Sequence, residues 1–196
     1  MKNSLMLCLL TGVTHFMVAS VGTAPQAPDV RDAYKRNVAV FTPNSFGSGV
    51  IVKTGYVLTN AHVAGDWPLL KIGEKFATRV AGDKEKDLAL LKVETVKVSE
   101  LRFNTKPYLL MEAFYVANPM GHVGLISPGQ VVFIDDTHLL TNTIGQRGFS
   151  GGGLYDSNGS LLGLNVGMEG QPDIGYTMTV HIPASTIKDF LKGKLP

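Results

Sequence analysis

Residues 46–62 read Phe46-Gly-Ser-Gly-Val-Ile-Val52, Lys53-Thr-Gly55 and Tyr56-Val-Leu-Thr-Asn-Ala-His62. The first and third segments are rich in β-branched and aromatic residues, which are typical of strands. The short connection between them contains Gly55, and a tight turn between antiparallel strands requires such a glycine. This stretch therefore predicts a β-hairpin whose second strand ends just before His62.

Short strand patterns recur on both sides of this hairpin. In the first half they cover residues 37–42, 67–72, 75–80 and 88–93. In the second half they cover residues 113–117, 124–127, 130–134, 138–142, 154–155, 161–166 and 174–180. Residues 183–191 differ, because a proline precedes apolar residues at helical spacing. Two β-rich halves of about six strands each, then a short C-terminal helix, predict an all-β fold with two six-stranded antiparallel β-barrels.

The composition supports one globular domain. The chain has 196 residues, 44% of them hydrophobic, which is enough for a sizeable core. Its 22 glycines and 10 prolines indicate many turns and favour a barrel or sandwich over a helical bundle. The formal charge is only +2 and the basic residues are scattered, so nothing indicates nucleic-acid binding.

The N-terminal segment is typical of an exported protein. Lys2 is followed by an apolar run to about Val21 that Gly12 and His15 interrupt, which favours a signal peptide over residues 1–20. An uncleaved membrane anchor and a cytoplasmic amphipathic start are the alternatives. We expect no stable membrane insertion, and no cysteine, once the segment carrying Cys8 is removed. Residues 21–36 read as a linker and N-terminal segment, in which 30–36 form a short helix or a strand.

Three side chains along the chain could form a nucleophilic site. Ser150 lies in Gly148-Phe-Ser-Gly-Gly152, where the glycines leave its hydroxyl and the nearby N–H groups accessible. A serine hydroxyl needs a base such as His62, and that histidine needs a carboxylate such as Asp87 to fix its tautomer. Asp83 is the competing carboxylate, but no apolar strand follows it directly, so it reads as a turn residue. Taken alone, the glycine cluster is equally typical of a flexible turn.

These motifs together resemble the trypsin-like serine proteases, and among them the HtrA/Deg-type protease domain. The resemblance covers residues 37–192 and rests on motifs in the same order along the chain. These are Gly47-Ser-Gly-Val-Ile-Val52, Gly55-Tyr-Val-Leu-Thr-Asn-Ala-His-Val63, Asp87-Leu-Ala-Leu-Leu-Lys-Val93, Asn118-Pro-Met-Gly121, Arg147-Gly-Phe-Ser-Gly-Gly152, Asn158-Gly-Ser-Leu-Leu-Gly-Leu-Asn165 and Ile182-Pro-Ala-Ser-Thr-Ile187. The chain would then be a signal peptide, the linker and a protease domain over 37–196 with the trypsin-like double barrel.

The resemblance also implies a role for each candidate residue. Ser150 would be the nucleophile, His62 the general base and then the general acid, and Asp87 the carboxylate that orients it. The N–H groups of Gly148 and Ser150 would form the oxyanion hole. The primary specificity pocket would lie near Ile144 and residues 164–166, that is Leu164, Asn165 and Val166.

The predicted pocket residues indicate which substrates are preferred, and the remaining histidines bear on whether a metal is bound. No acidic residue falls in that pocket, so we expect small or aliphatic side chains to be preferred over Lys and Arg. Residues 164–167 would pair with an extended substrate backbone. The other histidines are dispersed, so we expect no metal and no cofactor.

Three departures from the family pattern stand out. Phe149 precedes the serine where digestive trypsin-like enzymes carry an aspartate that pairs with a freed N-terminus, so we expect no activation of that kind. Gly153 stands where proline or alanine is usual and adds backbone freedom beside the nucleophile. We also expect no regulation through a PDZ module, the peptide-binding unit usual in the family.

The sequence therefore predicts an exported serine endopeptidase that acts on protein or peptide substrates through an acyl-enzyme intermediate. Two alternatives remain open. One is a catalytically weak or inactive barrel that serves as a binding or chaperone-like module, because a fold does not settle function. The other is a narrowly specific protease that processes a precursor. The sequence is compatible with a monomer or an oligomer.

Overall fold

The computed structural model describes residues 28–118, 124–171 and 176–196. The predicted signal peptide, His15, His122 and the Pro119-Met-Gly121 part of one family motif lie outside these residues. The helices are α1 (Pro28–Arg36), α2 (Ala61–Ala64) and α3 (Ala184–Leu191). The strands are β1 (Asn37–Phe41), β2 (Phe46–Lys53), β3 (Tyr56–Thr59), β4 (Leu70–Ile72), β5 (Lys75–Asp83), β6 (Leu88–Lys92), β7 (Glu112–Ala117), β8 (Leu125–Ile134), β9 (Leu139–Thr141), β10 (Gly153–Asp156), β11 (Leu161–Gln171) and β12 (Tyr176–Pro183).

The strands form two closed barrels. The first has the order β1-β2-β3-β6-β5-β4, and the second has the order β10-β11-β12-β9-β8-β7. Neighbouring strands are antiparallel, and each barrel closes through its own pair, Val40 opposite Ile72 and Val116 opposite Gly153. The predicted fold class, two six-stranded antiparallel barrels followed by a short helix, is confirmed.

The hairpin of β2 and β3 forms as predicted, with Gly55 at φ 89° in its turn. Residues 30–36, left open between helix and strand, lie in the helix α1. The strand expected over 67–72 is shorter, because Pro68 precedes it and has no N–H to donate to a ladder.

The second barrel contains a strand that the sequence divided into two. Residues 124–127 and 130–134 belong to the single strand β8, which pairs with β7 through Pro128 and Gly129. A proline is tolerated there because β9 pairs only from Val131 onward, so the strand has one neighbour at that point.

The largest cluster of buried side chains is shared by the two barrels. It contains Val50 and Leu58 of the first barrel, Leu164 of the second, and Ile187 and Phe190 of α3. Each barrel also has its own interior cluster. The barrels therefore pack through a common apolar layer, and α3 covers part of it. In the part of the chain that the structure describes, no helix is long and apolar enough to cross a membrane.

Candidate active site

His62 and Asp87 come together because of the pairing of β3 with β6. The end of β3 lies beside the start of β6, with Thr59 opposite Ala89. His62 follows β3 in the one-turn helix α2, and Asp87 directly precedes β6. Two residues 25 positions apart in sequence thus lie at the same edge of the first barrel.

The carboxylate of Asp87 holds His62 at two points. Its Oδ2 lies 2.6 Å from the imidazole Nδ1, and its Oδ1 accepts the backbone N–H of His62 at 2.8 Å. Because a carboxylate can only accept, Nδ1 carries a proton, and in the neutral imidazole Nε2 then keeps a lone pair. The amide of Asn60 donates to the backbone carbonyl of Asp87 at 3.1 Å, which helps to hold the backbone of Asp87 in place. The His62 side chain is 49% exposed and faces outward as a base must.

Asp83, the competing carboxylate, lies where a turn residue would. Its Oδ1 accepts the backbone N–H groups of Glu85 and Lys86 at 3.1 and 3.0 Å. Its carboxylate also pairs with the Lys86 ammonium at 2.7 Å, and the hydrogen bond to that side chain lowers the pKa of Asp83. Asp83 therefore caps the loop before Asp87 and makes no contact with His62 among the described residues.

Ser150 follows a tight turn. The N–H of Phe149 donates to the carbonyl of Gln146 at 3.2 Å, and Gly148 has φ 90°. A positive φ at the third residue of such a turn identifies it as type II, a conformation that favours glycine. Within the described chain, the N–H groups of Gly148 and Ser150 donate to no other protein group. They are therefore free for a ligand, as the predicted oxyanion hole requires.

The Ser150 loop docks against the first barrel, on the side where His62 lies. The N–H of Ser48 in β2 donates to the carbonyl of Ser150 at 2.7 Å. A Cβ at Gly47 would lie 2.7 Å from Val63, the neighbour of His62, and 3.0 Å from the Ser150 carbonyl oxygen. The lack of a side chain at Gly47 thus allows the His62 helix and the Ser150 loop to approach each other.

The glycine after the serine is required for the same contact. Gly151 has φ 88°, and a Cβ there would lie 1.9 Å from the carbonyl oxygen of Ser48. Its N–H donates to the carbonyl of Asn165 at 2.8 Å, which joins the loop to β11. The loop is therefore bonded to β2 of one barrel and β11 of the other.

The hydroxyl of Ser150 forms no hydrogen bond with the histidine in the described part of the chain. Its hydrogen bond goes to the carbonyl of Val166 at 3.4 Å. Hydrogen bonds between catalytic groups are often long or absent before substrate binds. The structure thus places the Ser150 loop on the side of the first barrel that carries His62 and Asp87. A hydrogen bond between Ser150 and His62 would require a different rotamer of the serine.

The four predicted pocket residues have different surroundings. Ile144 is 61% exposed, and Val166 is half-buried on β11. Leu164 is fully buried in the layer between the barrels, so its side chain packs in the core. Asn165 is also buried, and its amide donates to the carbonyls of Gly167 and Val180 at 3.1 Å each.

The Asn165 amide explains the position of Val166. The pairing of β11 with β12 shifts by one residue between Asn165 and Gly167, which is a β-bulge. The amide bridges this bulge and fixes the backbone at Val166. Pairing of β11 with β10 ends at Leu164, so the edge beyond it has no strand partner from β10.

A buried polar layer lies in the second barrel, on the strands next to the loop. The hydroxyls of Thr141, Thr143 and Thr179 bond to one another at 2.6–2.7 Å. The Nε2 of His181 lies 3.0 Å from the Thr179 hydroxyl and 3.1 Å from that of Thr141. Burial lowers the pKa of His181 to about 3, so the imidazole is neutral at ordinary pH.

The sequence matches the family model of the trypsin-like peptidase domain over residues 47–164. The chain belongs to the trypsin-like peptidases. It is 29% identical over 164 residues to the periplasmic serine endoprotease DegP of Escherichia coli K12, over 74% of this chain and 35% of that protein. It is 30% identical over 174 residues to a probable DegP-like endoprotease of Chlamydia trachomatis, over 78% of this chain and 33% of that protein.

Solved structures of two proteases have a similar fold. The serine endoprotease of Yersinia pestis superposes with a TM-score of 0.74 at 25% identity, over 84% of this chain and 64% of that one. The inactive form of the Rv3671c protease of Mycobacterium tuberculosis gives 0.71 at 23% identity, over 84% of this chain and 91% of that one. The resemblance to Deg-type proteases is confirmed. This trypsin-like peptidase chain spans about a third of the length of the curated relatives it matches.

Two residues of the site region were missed by the sequence. Tyr115 is buried, and its hydroxyl donates to the carbonyl of Phe149. Ser48 donates through its hydroxyl to the carbonyl of Gly148 at 2.9 Å. Nothing near either residue in the sequence points to this loop, which is 34 positions beyond Tyr115 and 100 beyond Ser48. In the described part of the chain, no group of three metal-binding side chains comes together.

Proposed function

We propose that this domain is a serine endopeptidase in which Ser150, His62 and Asp87 form the catalytic triad. The observation that carries the proposal is the two-point bond from Asp87 to His62, at 2.6 and 2.8 Å, on the side of the first barrel where the Ser150 loop docks. This bond fixes both the tautomer and the orientation of the imidazole. A turn without catalytic function would need neither.

The proposed reaction proceeds in two halves. The Ser150 hydroxyl rotates from Val166 to His62 and attacks the carbonyl carbon of the scissile bond, while Nε2 of His62 takes its proton. The tetrahedral intermediate collapses, the C–N bond breaks, and His62 gives the proton to the leaving amine. A water molecule then attacks the acyl-enzyme with His62 as base again, which releases the acid and restores Ser150.

The negative charge that forms on the carbonyl oxygen needs donors already in place. The N–H groups of Gly148 and Ser150 support that role, because neither has a hydrogen-bond partner among the described residues. Removing one such donor typically lowers kcat by about 10²–10³.

The test of the nucleophile is covalent labelling with a fluorophosphonate, read out by intact-protein mass spectrometry. We expect one label on the wild type and none on Ser150→Ala, with proteolysis of an unfolded protein reduced by about 10⁶ in the variant. The control Ser99→Ala removes a hydroxyl of the segment between the two barrels, which bonds to Arg36 and Asp32, and it is expected to label normally. A folded wild type that takes no label would instead support the binding or chaperone-like alternative.

We further propose that the pocket accepts small or aliphatic side chains. Ile144 and Val166 offer apolar surface. The edge of β11 from Val166 onward, beyond the backbone bonds of Asn165 to Gly151 and Gly152, can pair with an extended peptide. Cleavage of a peptide library should therefore concentrate after residues such as Ala or Val. Dominant cleavage after Lys or Arg would contradict this specificity, and cleavage of a single sequence only would favour a narrow processing protease.

The periplasmic relatives support export of this chain through its N-terminal segment. Mass spectrometry of protein recovered outside the cytoplasm should find an N-terminus close to residue 21. An intact Met1 on the exported protein would favour the membrane-anchored alternative.

A further inference from the structure

The three peptide units between Gly148 and Gly151 are held by hydrogen bonds on almost every polar group. The carbonyl of Gly148 accepts the Ser48 hydroxyl, and the N–H of Phe149 donates to Gln146. At the far end, the carbonyl of Ser150 accepts the N–H of Ser48, and the N–H of Gly151 donates to Asn165. The backbone on both sides of Ser150 is therefore fixed by partners from two barrels.

The middle peptide unit joins Phe149 to Ser150. Its carbonyl accepts two hydrogen bonds, from the hydroxyl of Tyr115 and from the N–H of Gly152 at 2.9 Å. The carbonyl and N–H of a trans peptide point in opposite directions. Fixing the carbonyl toward the buried Tyr115 therefore turns the N–H of Ser150 away from the core. That N–H is the only one of the six polar groups in these three units with no partner among the described residues.

The side chain of Tyr115 is held in place by its burial and by ring contacts. It has no exposed surface, and its ring packs against that of Phe149 with centroids 5.3 Å apart. Burial raises the pKa of Tyr115 well above its ordinary value, so the hydroxyl stays protonated and remains a donor. A second ring, that of His181, stands edge-on to it at 5.5 Å and restricts its rotation.

Ser48 has the matching position on the first barrel. It is fully buried in β2, and its hydroxyl accepts the backbone N–H of Asn118 at 2.9 Å. That bond leaves the hydroxyl hydrogen to point at the Gly148 carbonyl, so Ser48 is a fixed donor too. Thus a hydroxyl of the second barrel, from Tyr115, bonds to the Phe149 carbonyl, and a hydroxyl of the first barrel, from Ser48, bonds to the Gly148 carbonyl.

We propose that Tyr115 and Ser48 are positioning residues that orient the two peptide units flanking Phe149, so that the Ser150 N–H is aimed at the substrate oxygen. Tyr115 and Ser48 hold the loop through hydrogen bonds between neutral, buried groups. An ion pair cannot do this at position 149, because Phe149 has no carboxylate. This inference rests on the proposed function, since it assigns a purpose to the geometry of that site.

The test compares two buried tyrosines. Tyr115→Phe removes the hydroxyl that holds the Phe149 carbonyl, whereas Tyr155→Phe removes an equally buried hydroxyl that accepts the Asn37 amide at 2.9 Å and, among the described residues, forms no hydrogen bond with residues 146–152. Both variants lose one buried hydroxyl, so similar decreases in Tm are expected. Steady-state kinetics on a peptide ester and ¹³C/¹⁵N NMR of the loop are measured on both.

For Tyr115→Phe we expect kcat to fall about ten-fold with KM nearly unchanged, a smaller loss than that of a whole donor because Gly152 still holds the carbonyl. The Phe149 carbonyl ¹³C resonance should move upfield as it loses a donor, and the Ser150 amide should shift with it. Tyr155→Phe should leave kcat and both resonances at wild-type values. Ser48→Ala should lower kcat in the same way and shift the Gly148 carbonyl.

Three results would overturn the inference. These are an unchanged kcat in Tyr115→Phe, equal losses in the two tyrosine variants, and a Phe149 carbonyl resonance that does not move. If the wild type neither takes the fluorophosphonate label nor cleaves peptides, the proposed function fails instead. In that case the NMR comparison, which needs no turnover, still decides whether Tyr115 orients the Phe149–Ser150 peptide.

Discussion

Asp87 has an unusual backbone conformation for a residue with a side chain, with φ 52° just before β6. This conformation turns the chain so that the carboxylate meets both the ring and the backbone N–H of His62. Asp and Asn tolerate the left-handed region better than other residues that carry a side chain. The position therefore combines a conformational requirement with a chemical one.

Asp87→Asn separates these two requirements. The variant should keep the backbone and a Tm close to wild type, because Asn also adopts positive φ. Its kcat should fall about 10⁴-fold, because an amide can donate to Nδ1 and so stabilise the wrong tautomer. The measurement is peptide-ester hydrolysis together with thermal unfolding.

Asp83→Asn is the matched control for that experiment. It changes a carboxylate of the same loop that bonds to Lys86 and the loop backbone and has no contact with His62 among the described residues. Its activity should stay near that of wild type. Equal activity losses in the two variants would contradict the role assigned to Asp87.

At the scale of elements, β9 and β12 carry polar side chains into the interior of the second barrel. Thr141, Thr179 and His181 are fully buried, and the two hydroxyls bond to each other and to the Nε2 of His181. The Nδ1 of His181 has no hydrogen-bond partner among the described residues. A charge on this imidazole would be buried without a counterion, which is why its pKa falls to about 3.

This histidine makes stability depend on pH in a defined window. The unfolded chain protonates His181 near its ordinary pKa of 6.5, while the folded chain does so only near 3. Between these values the unfolded state binds more protons, so the free energy of unfolding decreases as the pH falls. The contribution is fully present above pH 6.5 and is lost toward pH 3, at about 1.4 kcal/mol per pH unit.

His181→Gln should remove that slope. Urea unfolding at pH 7 and at pH 4.5 should show a smaller loss of stability on acidification in the variant than in the wild type. His138→Gln, in an exposed loop, should keep the wild-type slope. If the slope is the same in all three proteins, His181 does not titrate as its burial requires.

At the scale of the whole molecule, the two barrels share an apolar layer, so we expect them to unfold as one unit. Ile187 of α3 is fully buried in this layer together with Val50, Leu58 and Leu164 from the two barrels. The Ser150 loop adds hydrogen bonds across the same interface, from Ser48 and to Asn165. The site between the barrels thus depends on the packing that holds them together.

Ile187→Ala should destabilise both barrels together. Large-to-small changes of this kind cost about 2–5 kcal/mol. Fluorescence of Trp67 reports on the first barrel and far-UV circular dichroism on both, and their urea midpoints should fall together. Lys188→Ala, on the exposed side of α3, should change neither midpoint. A shift in circular dichroism alone would mean that the barrels unfold separately.

The sequence by itself determined the fold class of two six-stranded barrels, and it predicted His62, Asp87 and Ser150 as the candidate catalytic residues. These features are local: alternating apolar residues, turn glycines such as Gly55, and short motifs around His62, Asp87 and Ser150. A short segment of the sequence is usually enough to indicate a strand or a turn. At Pro128-Gly129 this reasoning wrongly predicted a turn between two strands. The residues instead continue β8, because they pair with β7.

Only the tertiary structure decided how the Ser150 loop is held and which of the predicted pocket residues are buried in the core. Tyr115, Ser48 and Asn165 act on the loop or its flanking strand from elements that barrel closure brings near it. Leu164 and Val166 are two residues apart, yet one is in the core and the other beside Ser150, because a bulge intervenes. Such contacts depend on strand register and barrel packing, which are set by the whole chain at once. The sequence therefore predicts Ser150 as the nucleophile, and the packing of two barrels fixes the peptide units around it through hydrogen bonds from both.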